Sequence, residues 1–390
     1  MSDYILPTYA RINISFTHGK GAWLFSNKKK YLDFAAGIAV NSLGHANPVL
    51  KKALISQARK LWHTSNLYKI NEQEKVAEYL CNLSFAEKVF FCNSGAEATD
   101  GAIKIMRKYH YAEGNKKKNK IIVFENAFHG RTLTGILAGS NISHRQGFLP
   151  NIKSTGGFLR VGFNDIEAFK KSIDKNTAGV FIEPIQGEGG INVASIKYLR
   201  EIKKICRKNK VLLAFDEVQS GIGRTGKFFA HQWGNIKPDL LTSAKGLGGG
   251  FPVGAILVNN KLAKHMKPGS HGSTFGGNQL ASAVSLAVIK EISKKKLLNN
   301  VISLGKYLEN EIKKIIISNP SKIDAIFGKG LMLGIKCKVS NILLCQEFRK
   351  KGLLVVPAAN NVLRLLPPLN ISKKEATIAI NKINEVVSGL

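Results

Sequence analysis

Short apolar runs recur through the first two thirds of the chain, most of them about 30 residues apart, with helical patterns between them. The runs are Lys88–Cys92, Lys120–Phe124, 178–182, 211–215, 240–241 and 253–258, and helical patterns cover 97–110 and 196–209. Strands separated by helices pair mainly in parallel, because a crossover helix returns the chain to begin the next strand in the same direction. The expected fold class is therefore α/β with a largely parallel sheet. Ahead of it, residues 1–40 read as an irregular arm and a hairpin, with strands at 22–25 and 31–34 and a turn at 26–30. Helices follow at 47–61 and 71–84, the first opened by Asn47-Pro48. Beyond about residue 280, long helical patterns at 279–293 and 297–317 lead into short strands at 331–336, 353–356 and 362–366, which suggests a second, α+β domain.

Composition narrows the class. No apolar run approaches the roughly 20 residues that cross a bilayer, and the first residues lack the regions of a signal peptide. Five cysteines are scattered without Cys-x-x-Cys spacing, so neither a disulfide framework nor a metal site is expected, and a reducing cytoplasm is. The net charge of +32 would suit a nucleic-acid binder. Its lysines, however, come in short runs such as 28–30, 116–118 and 294–296, with no interleaved aromatics. The charge reads as solvated surface, and no specific nucleic acid is expected. With only 11 arginines in the chain, an arginine inside an apolar motif is informative.

In parallel sheets, sites gather at the carboxyl ends of strands. Four unusual motifs fall there: Asn93-Ser94-Gly95-Ala96-Glu97, Phe128-His129-Gly130-Arg131, Asp216-Glu217-Val218-Gln219 and Ser243-Ala244-Lys245. Lys245 ends a buried run and opens a glycine-rich turn, so it reads equally as a loop lysine or as an amine that loses its proton when desolvated. Ser94-Gly95-Ala96 is either an ordinary helix cap or an anion cradle. Asp216 is a structural ion-pair member or the partner of a protonated ring nitrogen. Phe128 packs in a core or covers a ring. Together, a phosphate cradle, a buried acid, an aromatic cover and an amine nucleophile are what pyridoxal 5'-phosphate requires.

At this point the chain closely resembles the class III (ω-amino group) aminotransferases. The motifs that carry the likeness span nearly the whole sequence: Tyr31-Leu32-Asp33-Phe34, Leu43-Gly44-His45, His63 to Tyr68, Asn93 to Glu97, Asn126 to Thr132, Ile182 to Gly190, Ala214 to Gly226, Thr242 to Phe251 and His271 to Asn278. The resemblance implies the fold type I of pyridoxal-phosphate transferases. A large domain over 49–284 would hold a seven-stranded, mostly parallel sheet, and residues 1–48 and 285–390 would form the smaller α+β domain. It implies Lys245 as the covalent anchor of the cofactor and the proton shuttle, and Asp216 on the ring nitrogen. Gln219 would stand near the ring hydroxyl, Val218 and Phe128 on the ring faces, Gly95 and Ala96 would give backbone N–H groups to the phosphate, and Ser94 and Glu217 would lie elsewhere around the cofactor. Ala96 departs from the threonine of many relatives, so one hydroxyl contact is in doubt.

Thr274, reaching the cofactor phosphate, and Ser273, touching the substrate, would come from the partner subunit, which implies a homodimer with shared sites. The implied substrates are small molecules, acetylornithine and glutamate or 2-oxoglutarate, alternating in one pocket. Arg131 would hold a distal carboxylate of either. Arg364 would take the carboxylate that only glutamate carries beside its reacting carbon, and Glu188 would neutralise Arg364 otherwise. Ornithine, 4-aminobutyrate and succinyldiaminopimelate are the near alternatives, and an aminomutase or racemase would use the same Lys245 and Asp216.

Overall fold

The computed structural model describes residues 4–27, 29–149 and 156–390. Lys28, part of the turn and lysine run expected between the first strands, lies outside them. Seven strands build the central sheet: β1 (Lys88–Cys92), β2 (Lys120–Phe124), β3 (Phe158–Val161), β4 (Thr177–Ile182), β5 (Leu212–Asp216), β6 (Leu240–Ser243) and β7 (Gly254–Val258). Their spatial order is β1-β7-β6-β5-β4-β2-β3. All pairings are parallel except those of β7, which runs against both β6 and β1. Six strands therefore share one direction, and the ends of β1, β2, β5 and β6 reach the same edge. Strands β5 and β6 are buried along their whole length, as apolar runs covered by helices on both faces must be. Edge strand β3 was not legible, since Phe-Leu-Arg-Val is short and carries a half-exposed arginine.

The expected strand at 353–356 is in fact two. Leu353–Leu354 joins Leu32 and Asp33 in a small sheet with the N-terminal strands His18–Lys20, Trp23–Phe25 and Lys30–Asp33. Val356–Ala358 pairs instead with Val362–Leu365, as the edge of an antiparallel sheet completed by Met332–Cys337 and Ile323–Lys329. Pro357, which lacks an N–H, fits an edge strand and not a central one. The C-terminal helix Lys373–Ser388 begins at a capping box in which Ser372 and Glu375 each receive the other's backbone N–H. Among the described residues no helix is long and apolar enough to cross a membrane.

Between the N-terminal strands and the sheet, the chain turns through Ala36, Gly37, Ile38 and Ala39, with φ of 47°, 64°, 63° and 62°. Four successive left-handed residues cost about 1–2 kcal/mol for each that is not glycine. The turn is braced at its start: one Asp33 oxygen accepts the N–H groups of Ala35 and Ala36, and the other lies 2.7 Å from His45 Nε2. It delivers Val40 to the wall of the cavity described next.

Candidate active site

At the shared strand edge lies a cavity of about 440 Å³, lined by residues from all four motifs. The helix Gly95–Ala112 starts there. The Ser94 hydroxyl accepts the Glu97 N–H at 3.1 Å and so caps it. The other N–H groups of a first turn have no intrahelical acceptor, and with the helix dipole they favour an anion. Glycine at 95 is needed for the close approach of Val218, whose Cγ1 would stand 2.8 Å from an added Cβ. The cradle therefore fits a phosphate, and the ring that the phosphate carries would reach toward β5.

Asp216 ends β5 with both carboxylate oxygens engaged. Oδ1 accepts the Val218 N–H at 3.0 Å, and Oδ2 lies 2.7 Å from His129 Nδ1. His129 is buried against Phe181, with ring centroids 4.4 Å apart, and its Nε2 has no partner among the described residues. The resemblance had not singled out His129. The one polar ring in the Phe-His-Gly-Arg motif after a buried strand was the available signal. Phe128 stands half-buried on the cavity wall, and the exposed Arg131 guanidinium lies 5.7 Å from its ring.

Lys245 follows β6 and adopts φ of 44°, a strained left-handed conformation in a 3₁₀ turn. Burial pushes its amine down to about 8, and the Arg364 charge adds to the effect, while Glu188, Asp216 and Glu183 oppose it. Arg364 is fully buried and clasped. Nη1 donates to Glu188 Oε1 at 2.7 Å and to Gln219 Oε1 at 3.2 Å; Nη2 donates to Glu188 Oε2 at 2.9 Å and to the Pro357 carbonyl at 3.1 Å. Burial alone would raise the Glu188 carboxyl, but the Arg364 charge and hydrogen bonds outweigh it and hold it below the ordinary range. Gln219 is pressed against Gly187, where an added Cβ would meet its Oε1 at 2.2 Å.

Three expected residues stand apart from this cavity. Glu217 is corrected: its carboxylate faces away, accepting the N–H groups of Ala230 and His231 and lying 2.8 Å from His231 Nδ1. Adjacent strand residues point to opposite faces, so Asp216 and Glu217 do not line one site. Ser273 and Thr274 do not line their own chain's cavity either. Ser273 Oγ accepts from Asn93 Nδ2 at 3.2 Å, and Thr274 is exposed. The remaining expected residues converge: Ser94, Gly95, Ala96, Phe128, Arg131, Asp216, Val218, Gln219 and Lys245 line the cavity, and Glu188 and Arg364 border it through Gln219.

The chain belongs to the class-III aminotransferase family, whose model matches residues 4–387. An acetylornithine aminotransferase from Mesorhizobium japonicum is 47% identical over 387 residues, covering 99% of this chain and 96% of its own length. Among solved structures, an acetylornithine aminotransferase from Elizabethkingia anophelis has a TM-score of 0.88 at 32% identity, covering 99% of this chain and 97% of its own. An ornithine aminotransferase from Toxoplasma gondii, with partial occupancy of PLP at its active site, has a TM-score of 0.94 at 31% identity, covering 99% and 92%.

Proposed function

We propose that the chain is an acetylornithine aminotransferase. It would move the terminal amino group of N2-acetylornithine to 2-oxoglutarate, giving N-acetylglutamate 5-semialdehyde and glutamate, with pyridoxal 5'-phosphate as cofactor. When bound, the cofactor supplies an electron sink that stabilises negative charge on the carbon losing its proton. The N-terminus of the Gly95–Ala112 helix would hold the phosphate, and Asp216 would hold the ring nitrogen. Phe128 and Val218 would flank the ring, and Gln219 would stand by its hydroxyl. Lys245 would anchor the cofactor and, once displaced by the substrate amine, would take the proton from the reacting substrate carbon and deliver it in the 1,3-transfer. A lysine already near pH 8 is suited to that exchange, since its charged and neutral forms are both populated.

The clasp of Arg364 by Glu188 carries the substrate reading. The two half-reactions alternate between a substrate with a carboxylate at its reacting carbon and one without it. An arginine that is neutralised in place for one and released for the other serves both, whereas a bare buried guanidinium would be costly beside an uncharged substrate end. Arg131, exposed at the rim, suits the distal carboxylate of either. Tested against 2-oxoglutarate, acetylornithine is expected to react faster than ornithine, succinyldiaminopimelate or 4-aminobutyrate. Ornithine clearly preferred over acetylornithine would overturn the assignment.

A homodimer belongs to the same proposal. Thr274 is exposed beside Phe275, and Trp62, Leu67 and Tyr68 are 64%, 88% and 70% exposed. An apolar surface of this kind, next to the two residues missing from their own cavity, suits a second copy that receives them. Light scattering is expected to give a dimer. Mixed with Lys245→Ala, a Thr274→Ala chain should form heterodimers with one fully intact site and regain activity; no regain would refute shared sites. The pairing of Leu353–Leu354 with the N-terminal strands supports counting residues 1–48 and 285–390 as one unit around 49–284. The five free cysteines, four of them buried, suit the cytoplasm.

A further inference from the structure

Glu183 follows β4 directly, is 7% exposed and lines the same cavity as Asp216. Every charged neighbour that could neutralise it is already committed. Arg364 gives both terminal nitrogens to Glu188, and the His129 Nδ1 is spent on Asp216. Arg131 is exposed over the Phe128 ring. Lys245 acts on it through space, but it forms no ion pair with Glu183 among the described residues, and it is the amine committed to the cofactor in the reading above. Among the described residues, the hydrogen bonds that Glu183 receives come from backbone N–H groups, Phe128 at 3.2 Å and Gly187. The charges that strengthen its hold on the proton are of like sign, Asp216 more strongly than Glu188.

Two buried carboxylates lining one cavity do not both ionise when a single cation partner is available. The ring nitrogen would be that partner, and it would face Asp216. We propose that Glu183 stands in the working site as an un-ionised carboxylic acid. It acts as a positioning residue, accepting the N–H groups of Phe128 and Gly187 while leaving Asp216 the one negative charge of the pair. Phe128 is the proposed ring cover and Gly187 precedes the Glu188 gate, so one neutral acid holds the backbone of both. Burial first, and the Asp216 charge second, keep the Glu183 proton well above the ordinary carboxylate range; the two N–H donors oppose this without reversing it. The consequence for Asp216 rests on the cofactor reading, whereas the protonation state does not.

The test is infrared spectroscopy and thermal unfolding of the cofactor-loaded protein. At neutral pH the wild type is expected to show the carbonyl band of a protonated carboxylic acid, absent from Glu183→Gln. Glutamine copies the neutral acid in shape, so the variant should keep cofactor affinity within about threefold. The unfolding temperatures add a pH signature. A folded-state value raised above 4.5 means that the unfolded chain gives up this proton first as pH rises. Wild-type stability therefore falls with pH in that window, and a glutamine has no such slope. The advantage of Glu183→Gln is expected to widen as pH rises above 4.5. A constant or shrinking difference, or a wild-type spectrum without the acid band, would overturn the proposal. The wild-type spectrum decides the matter alone should the variant not fold. Failure of the donor ranking would leave these readouts untouched, so the two ideas fail separately.

Discussion

Lys245→Ala should lose transamination by about 10⁴-fold while still taking up the cofactor, because proton transfer by a placed base contributes up to that factor. The groups proposed to bind the cofactor, the Gly95–Ala112 helix start and Asp216, lie on other segments and are untouched by the change. Borohydride treatment followed by peptide mass analysis should find the cofactor attached to Lys245 in the wild type and nowhere in the variant. Lys245→Arg should be no better than alanine, since a guanidinium stays protonated and cannot act as the nucleophile. Near-normal turnover in Lys245→Ala would remove the residue from the chemistry and return it to the status of a loop lysine.

The same residue has a stability signature of opposite sign to the one at Glu183. The Lys245 amine lies near 8 in the fold against 10.5 in an open chain. Between those values the unfolded chain holds the proton that the folded one has released, so stability rises with pH there and the full penalty applies below about 8. In the cofactor-free proteins, Lys245→Ala is expected to unfold at a higher temperature than wild type at pH 7. That gap should narrow as pH climbs from about 8 toward 10.5.

These two residues mark what could and could not be read in the chain. Asp216 and Lys245 were placed at one sheet edge by the apolar runs ahead of them, because parallel strands send such endings to the same side, while their roles came only from the resemblance. Arg364 was legible because an arginine among valines, leucines and prolines must have a reason to be there. Glu217 follows Asp216 directly in sequence, but its side chain turns the other way, to His231. His129 and Glu183 needed coordinates, since their meaning is their distance to Asp216, which lies 87 residues from one and 33 from the other. The division of 353–356 between two sheets was hidden because each half has an apolar partner strand, and only the register shows that the partners differ.

Arg364→Ala should separate the two half-reactions that the wild type balances. Single-turnover reaction with glutamate is expected to slow by at least about 100-fold, the loss that follows when one member of a buried, doubly hydrogen-bonded charge pair is removed. The acetylornithine half-reaction should change by less than about tenfold, because that substrate has no carboxylate at its reacting carbon for the arginine to hold. Arg364→Lys should not restore the glutamate step; an ammonium cannot reproduce the two-pronged contact that Nη1 and Nη2 now make with Glu188. Glu188→Gln should lean the other way. It weakens the clasp, so glutamate meets a freer Arg364 and acetylornithine meets an uncompensated charge. A shift of the two variants in opposite directions is the mark of a gate. Equal losses in both half-reactions from Arg364→Ala would mean instead that the Arg364–Glu188 pair, with Gln219 and the Pro357 carbonyl around it, is a structural clasp that shapes the pocket without choosing between its substrates.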